Sequence, residues 1–377
     1  MEVKNIVLII LICVIVILIA LNVIHITSKV DEFNESLLYY RLDNSLCTKK
    51  KSADILHVMK DVVDESNIKL QRANKFMNAQ FVSFVSLDFI DKLIHNVNFP
   101  IECTHVYGIG GTDTFASKSS LYDNLRKTLP SRVLKTIVPK TYVIENKKDM
   151  VELYKKTESC KMVYIAKKNV QRQNGFDIYT DPKNTLNPEF VVVQEMLQNP
   201  YIISGRKINI RVYLLIVIDG SDIDFYVYKD GFIYYTAEEF EKYSTDFNKT
   251  ITTGYIDRRV YDENPLTLLD LEKYMGEKNY STLMKNVLFI IKCFKEVYKP
   301  ILLEENRGIR PKQFLIYGCD IAPSDTLGAT LIEINKGPDL NYKDARDKEV
   351  KFNLVKNTFE IVKLLPDSKT EKNYIKI

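Results

Sequence analysis

Three short segments carry residue types that could handle phosphate and a divalent cation. The first is Lys207-Ile208-Asn209-Ile210-Arg211-Val212-Tyr213. Alternation along a strand puts Lys207, Asn209, Arg211 and Tyr213 on one face, with Ile208, Ile210 and Val212 on the other. Two cations and an amide then project together from a strand whose opposite face is buried; the plainer alternative is an exposed antiparallel face. The second is a pair of strands, 314–321 and 329–335, flanking the turn signal Pro323-Ser324-Asp325-Thr326-Leu327-Gly328. A hairpin centred near Thr326–Leu327 sets Asp320 opposite Glu333, and period-2 alternation puts Asn335 on the face of Glu333. Two carboxylates and an amide oxygen are hard ligands that suit Mg²⁺ together with phosphate and water. Ordinary polar residues on a solvated hairpin are the alternative, although facing carboxylates repel unless a cation or proton offsets them. The third is Tyr164-Ile165-Ala166-Lys167, a lysine that ends an apolar strand ahead of a polar stretch, Lys168 to Asn174. Such a lysine can hold polyphosphate or simply end in solvent.

The elements that must position these residues read as a mixed α+β body. Short β-rich runs (161–166, 190–194, 208–217, 224–228, 313–321 and 330–335) alternate with helical stretches at 119–127, 148–155 and 284–297. The last carries Val287, Ile290, Ile291, Phe294 and Val297 at helical spacing, the pattern of a core face. Composition agrees with a globular chain: 377 residues, 46% hydrophobic and 27% charged, enough for two or three domains. The net charge of +4 makes no case for nucleic acid, whose binders carry a strong basic excess. Six scattered cysteines form no CxxC pair, which argues against zinc and for reduced thiols. All four histidines lie in the first third, away from the three segments, so a Ser-His-Asp or Cys-His hydrolase is a poor fit.

Residues 6–26, IVLIILICVIVILIALNVIHI, are uncharged and long enough, at about 1.5 Å per residue, to span a hydrocarbon core of about 30 Å. They are expected to form an uncleaved membrane anchor, with a cleaved signal peptide as the rival. Residues 29–80 read as a helical spacer. Low Gly and Trp with abundant Tyr, Lys, Ile and Asn match an AT-rich genome, that of a protist or of a large virus infecting one.

Taken in order, the segments resemble the tubulin-tyrosine ligase family, an ATP-grasp fold. The resemblance runs through Lys118-Ser119-Ser120-Leu121, Ile137-Val138-Pro139-Lys140-Thr141-Tyr142, Tyr164–Lys167 and Val193-Gln194-Glu195-Met196-Leu197. It continues through Gly205–Arg211, Tyr317-Gly318-Cys319-Asp320 and Leu331–Pro338, covering roughly 80–365. It implies subdomains at 81–145, 146–215 and 216–365, after the anchor (1–28) and spacer and before a polar tail (366–377). It also implies roles. Lys118 and Lys167 would contact phosphates, and backbone groups of Glu195 and Leu197, following Gln194, would meet the adenine edge. Asp320, Glu333 and Asn335 would hold Mg²⁺, while Lys207 and Arg211 would sit over the γ-phosphate and the acyl acceptor. The implied activity is ATP-dependent ligation of a free amino acid to a protein carboxylate, typically on a tubulin tail. An acyl phosphate is the intermediate, and the cofactors are ATP and Mg²⁺. The need for ATP favours a body on the cytosolic side of a viral or host membrane.

Some positions depart from the family pattern. The aspartate between the lysine and arginine is Asn209. The arginine after the next glycine is Tyr234 or Tyr235. Of the threonine–asparagine pair that follows, Thr252 is kept and the asparagine is Thr253. The ATP and Mg²⁺ set is therefore present while the amino-acid set, including Asn209 and Thr252, is altered. A changed substrate is the first reading of this difference; a silent binding module or a structural membrane or virion protein is the alternative.

Overall fold

The computed structural model describes residues 36–42, 55–66, 68–84, 87, 90–156, 162–169, 175–185, 189–366 and 373–377. Its strands, in order, are β1 (Ser36–Leu42), β2 (Lys69–Arg72), β3 (Phe81–Phe84), β4 (His105–Tyr107) and β5 (Thr141–Val143). They continue with β6 (Tyr164–Lys167), β7 (Phe176–Tyr179), β8 (Val192–Glu195), β9 (Ile202–Ile203) and β10 (Arg206–Asp219). The last five are β11 (Asp222–Thr236), β12 (Thr252–Thr253), β13 (Lys312–Pro323), β14 (Ala329–Lys336) and β15 (Tyr374–Lys376). The longer helices are α1 (Leu56–Glu65), α2 (Lys118–Thr128), α3 (Lys147–Tyr154), α4 (Leu268–Met275), α5 (Glu277–Glu305) and α6 (Ala345–Val362).

Two sheets result. The large one runs β12-β11-β10-β13-β4-β3-β1-β2, with β14 on β13, β15 on β11 and β9 on β10; the small one is β5-β8-β6-β7. Its centre, β10 with β11 and β13, is antiparallel. Beyond β13 the pairing becomes parallel. β10 alternates through Lys207–Tyr213 and then runs apolar from Leu214 to Ile218, all buried. That switch fits a strand exposed on one face at its start and covered on both later. α5 supplies the cover: Val287, Ile290, Ile291, Phe294 and Val297 are buried as their spacing predicts. Phe294 meets Phe225 of β11 and Phe115, edge on. The segment that leads from β8 of the small sheet to β9 is tied to the β13–β14 hairpin by Tyr201 N–H to the Pro323 carbonyl and Asp325 N–H to the Asn199 carbonyl.

The anchor expected at 6–26 lies outside the described residues. Among those residues, no helix is long and apolar enough to cross a membrane. The spacer expectation needs correction. Residues 29–80 hold helix α1 but also β1 and β2, which are parallel members of the large sheet. In β1, Leu37 and Tyr39 pack on the main core while Leu38 and Tyr40 pack on a second one. A strand apolar on both faces shows no period-2 signal, so it did not read as a strand. The boundary drawn at 215/216 falls inside β10. The supposed polar tail contains β15, paired with β11, and its Tyr374 is buried.

Candidate active site

Pairing registers gather the site. Arg211 sits opposite Asp320, and Asp320 opposite Glu333. Gly318 lies between Tyr213 and Asn335, and Asn209 is opposite Tyr234. Directly paired residues share a sheet face, so one face carries Asn209, Arg211, Tyr234, Asp320, Glu333 and Asn335. The hairpin turn is centred on Thr326, since Pro323 pairs with Ala329. Uninterrupted pairing from there would set Asp320 against Ile332. A bulge inserts Ile332 and restores the Asp320–Glu333 pair.

Contacts within this face are close. Arg211 donates through Nε and Nη2 to the two Asp320 oxygens, at 2.5 and 3.0 Å. Its guanidinium lies 5.2 Å from the centre of the Tyr234 ring. Asn335 Nδ2 donates to Asp320 (3.2 Å) and Glu333 (3.1 Å). Lys118, at the start of α2, brings Nζ to 4.0 Å from Glu333 Oε2. Lys167 ends β6 in the small sheet and is buried; its field is set by Glu333, Lys118 and Asp320. Lys207 is also buried, and its Nζ donates to the Thr250 carbonyl at 2.9 Å.

The charges interact strongly. Burial lowers Lys167 to about 8, with Glu333 opposing the shift and Lys118 reinforcing it. Burial and the neighbouring Lys167 lower Lys207 to about 8. Burial alone would raise Glu333, but Lys118, Lys167 and the Asn335 amide outweigh it and hold the carboxyl below its usual value. Asp320 stays raised because burial and Glu333 exceed the pull of Arg211. The site thus gathers the cations Lys118, Lys167, Lys207 and Arg211 around the carboxylates of Asp320 and Glu333, an excess of positive charge that attracts polyphosphate.

Two hard carboxylates and an amide fit Mg²⁺ in donor chemistry. Among the described residues there is no group of three or more His, Cys, Asp or Glu side chains placed to hold a metal. The set therefore has to be completed by phosphate or water, as Mg²⁺ sites commonly are. As the side chains stand, Asn335 turns its nitrogen to the carboxylates; ligation would use Oδ1, the other end of the same amide.

The expected adenine strand has its own bonds. Gln194 Nε2 donates to Thr141 Oγ1 at 3.0 Å, and the Glu195 amide donates to the Lys140 carbonyl at 2.9 Å. The Glu195 carboxylate accepts from Tyr142 Oη at 2.8 Å and pairs with Lys156. Leu197 follows, half-buried. Thr252 pairs with Thr236 at the sheet edge, and Asn209 Oδ1 is buried without a hydrogen-bond partner.

Tyr234, not Tyr235, faces the site; the Tyr235 hydroxyl turns away to the Pro265 carbonyl at 2.8 Å. Sequence reasoning missed the part played by Gly318. A Cβ there would come within 3.0 Å of Arg211 Cδ and Nη1. A glycine inside an otherwise apolar strand is the signal that could have found it. Arg258 and Arg259, adjacent in the chain, part company: Arg258 pairs with Asp344, while Arg259 pairs with Asp257 in solvent.

A family model described as "Tubulin-tyrosine ligase family" matches residues 109–372, well over half of the chain. The chain is 27% identical over 238 residues to the probable tubulin polyglutamylase TTLL9 of Rattus norvegicus, covering 59% of the chain and 50% of that relative. It is 29% identical over 191 residues to the probable alpha-tubulin polyglutamylase Ttll1 of Tetrahymena thermophila, with coverages of 48% and 44%. With the tubulin polyglutamylase TTLL7 of Mus musculus it shares 23% over 297 residues, 71% of the chain and 32% of the relative. The chain thus spans about half the length, or less, of the curated relatives it matches.

Proposed function

The chain belongs to the tubulin-tyrosine ligase family, and from that premise we propose that it is an ATP-dependent carboxylate–amine ligase. It joins a free amino acid to a carboxylate of an acidic protein tail, with tubulin, the substrate in its relatives' names, as the first acceptor to test. The observation that carries this reading is the meeting of Arg211, Asp320, Glu333 and Asn335 on one sheet face, with Lys118 beside them and Lys167 reaching in from the other sheet.

In a ligation of this type a carboxylate oxygen attacks the γ-phosphorus of ATP and ADP leaves. The amine nitrogen then attacks the acyl carbon, phosphate leaves, and the nitrogen gives up its proton to solvent. Both steps spread negative charge over phosphoryl oxygens, so positioning and fixed positive charge do most of the work. Lys118 and Lys167 bind phosphate oxygens. Lys207, held by the Thr250 carbonyl, adds a third cation. Arg211 is oriented in advance by Asp320 and the Tyr234 ring, and its planar fork can grip an oxyanion through two parallel bonds. Mg²⁺, held by Asp320, Glu333 and Asn335, would neutralise charge on the phosphates. No general-base histidine is required.

The apolar run 6–26 adds an anchor to this reading, placing the body on the ATP-containing side of a membrane. Recovery of the full chain from a carbonate-washed membrane pellet is the expected result, and release into the supernatant removes the anchor.

The ligase reading is tested with the full chain, Mg·ATP, tubulin and a mixture of amino acids, followed by intact mass of the tubulin tails. ATP-dependent addition of amino-acid residues is expected. Glu333→Gln should abolish it, together with the thermal stabilisation by Mg·ATP. Identical behaviour of the two proteins removes the metal site, and the absence of any addition removes the ligase.

A further inference from the structure

Lys167 and Lys207 stand on different sheets, yet they are near enough for the charge of the first to lower the pKa of the second. Two ammonium groups repel, so their approach has to be held by packing elsewhere. The short helix Phe247–Thr250 touches both sides of this junction. Its last carbonyl, that of Thr250, accepts from Lys207 Nζ at 2.9 Å. Its first residue, Phe247, stacks on Phe176 of β7, with ring centres 5.5 Å apart and planes 5° from parallel.

Pairing across β6 and β7 explains why the stack falls there. Lys167 pairs with Phe176, and Ile165 with Ile178, so these four residues share one face of the small sheet. The apolar part of that face, with Val163 and Met196, takes in Ile251, the residue that follows the helix. Phe247 and Ile251 are four residues apart, and the Ile251 amide donates to the Phe247 carbonyl at 3.0 Å. Residues at this spacing lie side by side on a helical turn, and the two dock together on the small sheet.

Backbone bonds fasten the same helix to the large sheet. Asp246 caps it by accepting from the Asn248 amide at 2.9 Å, and Thr250 Oγ1 donates to the Asp246 carbonyl at 2.6 Å. The Glu238 amide, just after β11, donates to the Asn248 carbonyl at 2.9 Å, and Thr252 and Thr253 then pair with β11. The helix is thus held by hydrogen bonds to the sheet that carries Lys207 and by apolar side chains to the sheet that carries Lys167. Phe247 remains 36% exposed, too open to leave a closed cavity if truncated.

We infer that Phe247 is a positioning residue for ATP: by stacking on Phe176 it fixes the Thr250 carbonyl, and through that carbonyl it aims Lys207 at the phosphate that Lys167 also meets. The inference rests on the reading of the two lysines as phosphate ligands. Phe247 acts through Lys207 rather than on the nucleotide itself. A single bond to a carbonyl places an ammonium only as well as the helix behind that carbonyl is placed.

Titration calorimetry of the full chain with Mg·ATP tests this. Phe247→Ala is expected to weaken binding about 10-fold, the loss of an aromatic pair together with the placement of one charge-assisted bond. Phe247→Tyr keeps the flat ring and should bind within about twofold of the wild type. The deciding measurement is a double-mutant cycle with Lys207→Met, which is uncharged and of similar length. In that background Phe247→Ala should cost less than about twofold more, because a residue that acts through Lys207 has nothing left to aim. An unchanged Kd in Phe247→Ala, a loss in Phe247→Tyr as large as in Phe247→Ala, or losses that multiply across the cycle each overturn the assignment. If Phe247→Ala fails to fold, Phe176→Ala removes the other ring and is read by the same cycle. A wild type that does not bind Mg·ATP removes the phosphate-binding role of the two lysines, and the positioning role with it.

Discussion

In the proposed ligation Arg211 is the side chain on which the chemistry turns, and its surroundings set it apart from a lysine. Asp320 fixes its plane through two bonds, Tyr234 covers one face, and Gly318 leaves room for its stem. Lysine in its place could reach the same anion but could not fork two bonds to it. Arg211→Lys should therefore keep Mg·ATP binding and lose ligation by about 10²-fold or more, as for removal of one transition-state donor. Gly318→Ala should act in the same direction through Arg211 alone, because its new methyl meets a flexible side chain rather than backbone. We expect ligation to fall about 10-fold or more with little change in Tm. Calorimetry of Mg·ATP binding beside single-turnover ligation separates the two effects; full activity in both variants removes Arg211 from the mechanism. The cation and acid set was legible from residue type and spacing. That Tyr234 faces Arg211 while Tyr235 turns away was not, because it follows from the pairing of Asn209 with Tyr234 across two strands, which neither strand's own sequence records.

Strands set what the side chains can do. β10, β13 and β14 hold three of the charged residues in register, and β6 carries Lys167 in from a different sheet. Burial at these strand positions lowers Lys167 and Lys207 to about 8. Below that value both are charged and ready for phosphate. As pH rises through about 8 the ligand-free protein loses these charges, so binding must then be coupled to proton uptake. The Kd for Mg·ATP should be flat below about pH 7 and should rise above about pH 8, by up to about tenfold per pH unit for each lysine. The stability sign is the reverse. Between about 8 and 10.5 the unfolded chain binds more protons, so the ligand-free fold gains stability as pH rises across that window. Titration calorimetry across this range checks the binding, and Lys207→Arg, which stays charged, should flatten part of the rise. A profile unaffected by pH would show that these amines do not bind phosphate. The Asp320–Glu333 pairing could be read from the turn between β13 and β14; the bulge at Ile332 that completes it could not, since composition near the turn does not reveal an extra residue.

At the scale of the whole molecule, the large sheet extends past the family match into residues read from sequence as a spacer. β1 lies between β2 and β3, and α1 packs against α6. Phe359 of α6 meets Phe81 and Phe314 across that core. Deleting residues 29–80 should therefore lower Tm by several degrees or abolish cooperative unfolding, since it uncovers an apolar sheet edge and one face of α6. A spacer would leave Tm unchanged, and that result in a thermal melt would overturn the assignment of β1 and α1 to the core. By itself the sequence determined the α+β class, the α5 core face and the strand faces that carry Lys207, Arg211, Asp320, Glu333 and Asn335. Those follow from local periodicity and side-chain chemistry, which neighbours along the chain express directly. Only the tertiary structure decided that β1 belongs to the sheet, that Tyr234 rather than Tyr235 meets Arg211, and that Gly318 leaves the space Arg211 occupies. These depend on long-range packing, where residues far apart in the chain meet and no local pattern records the encounter.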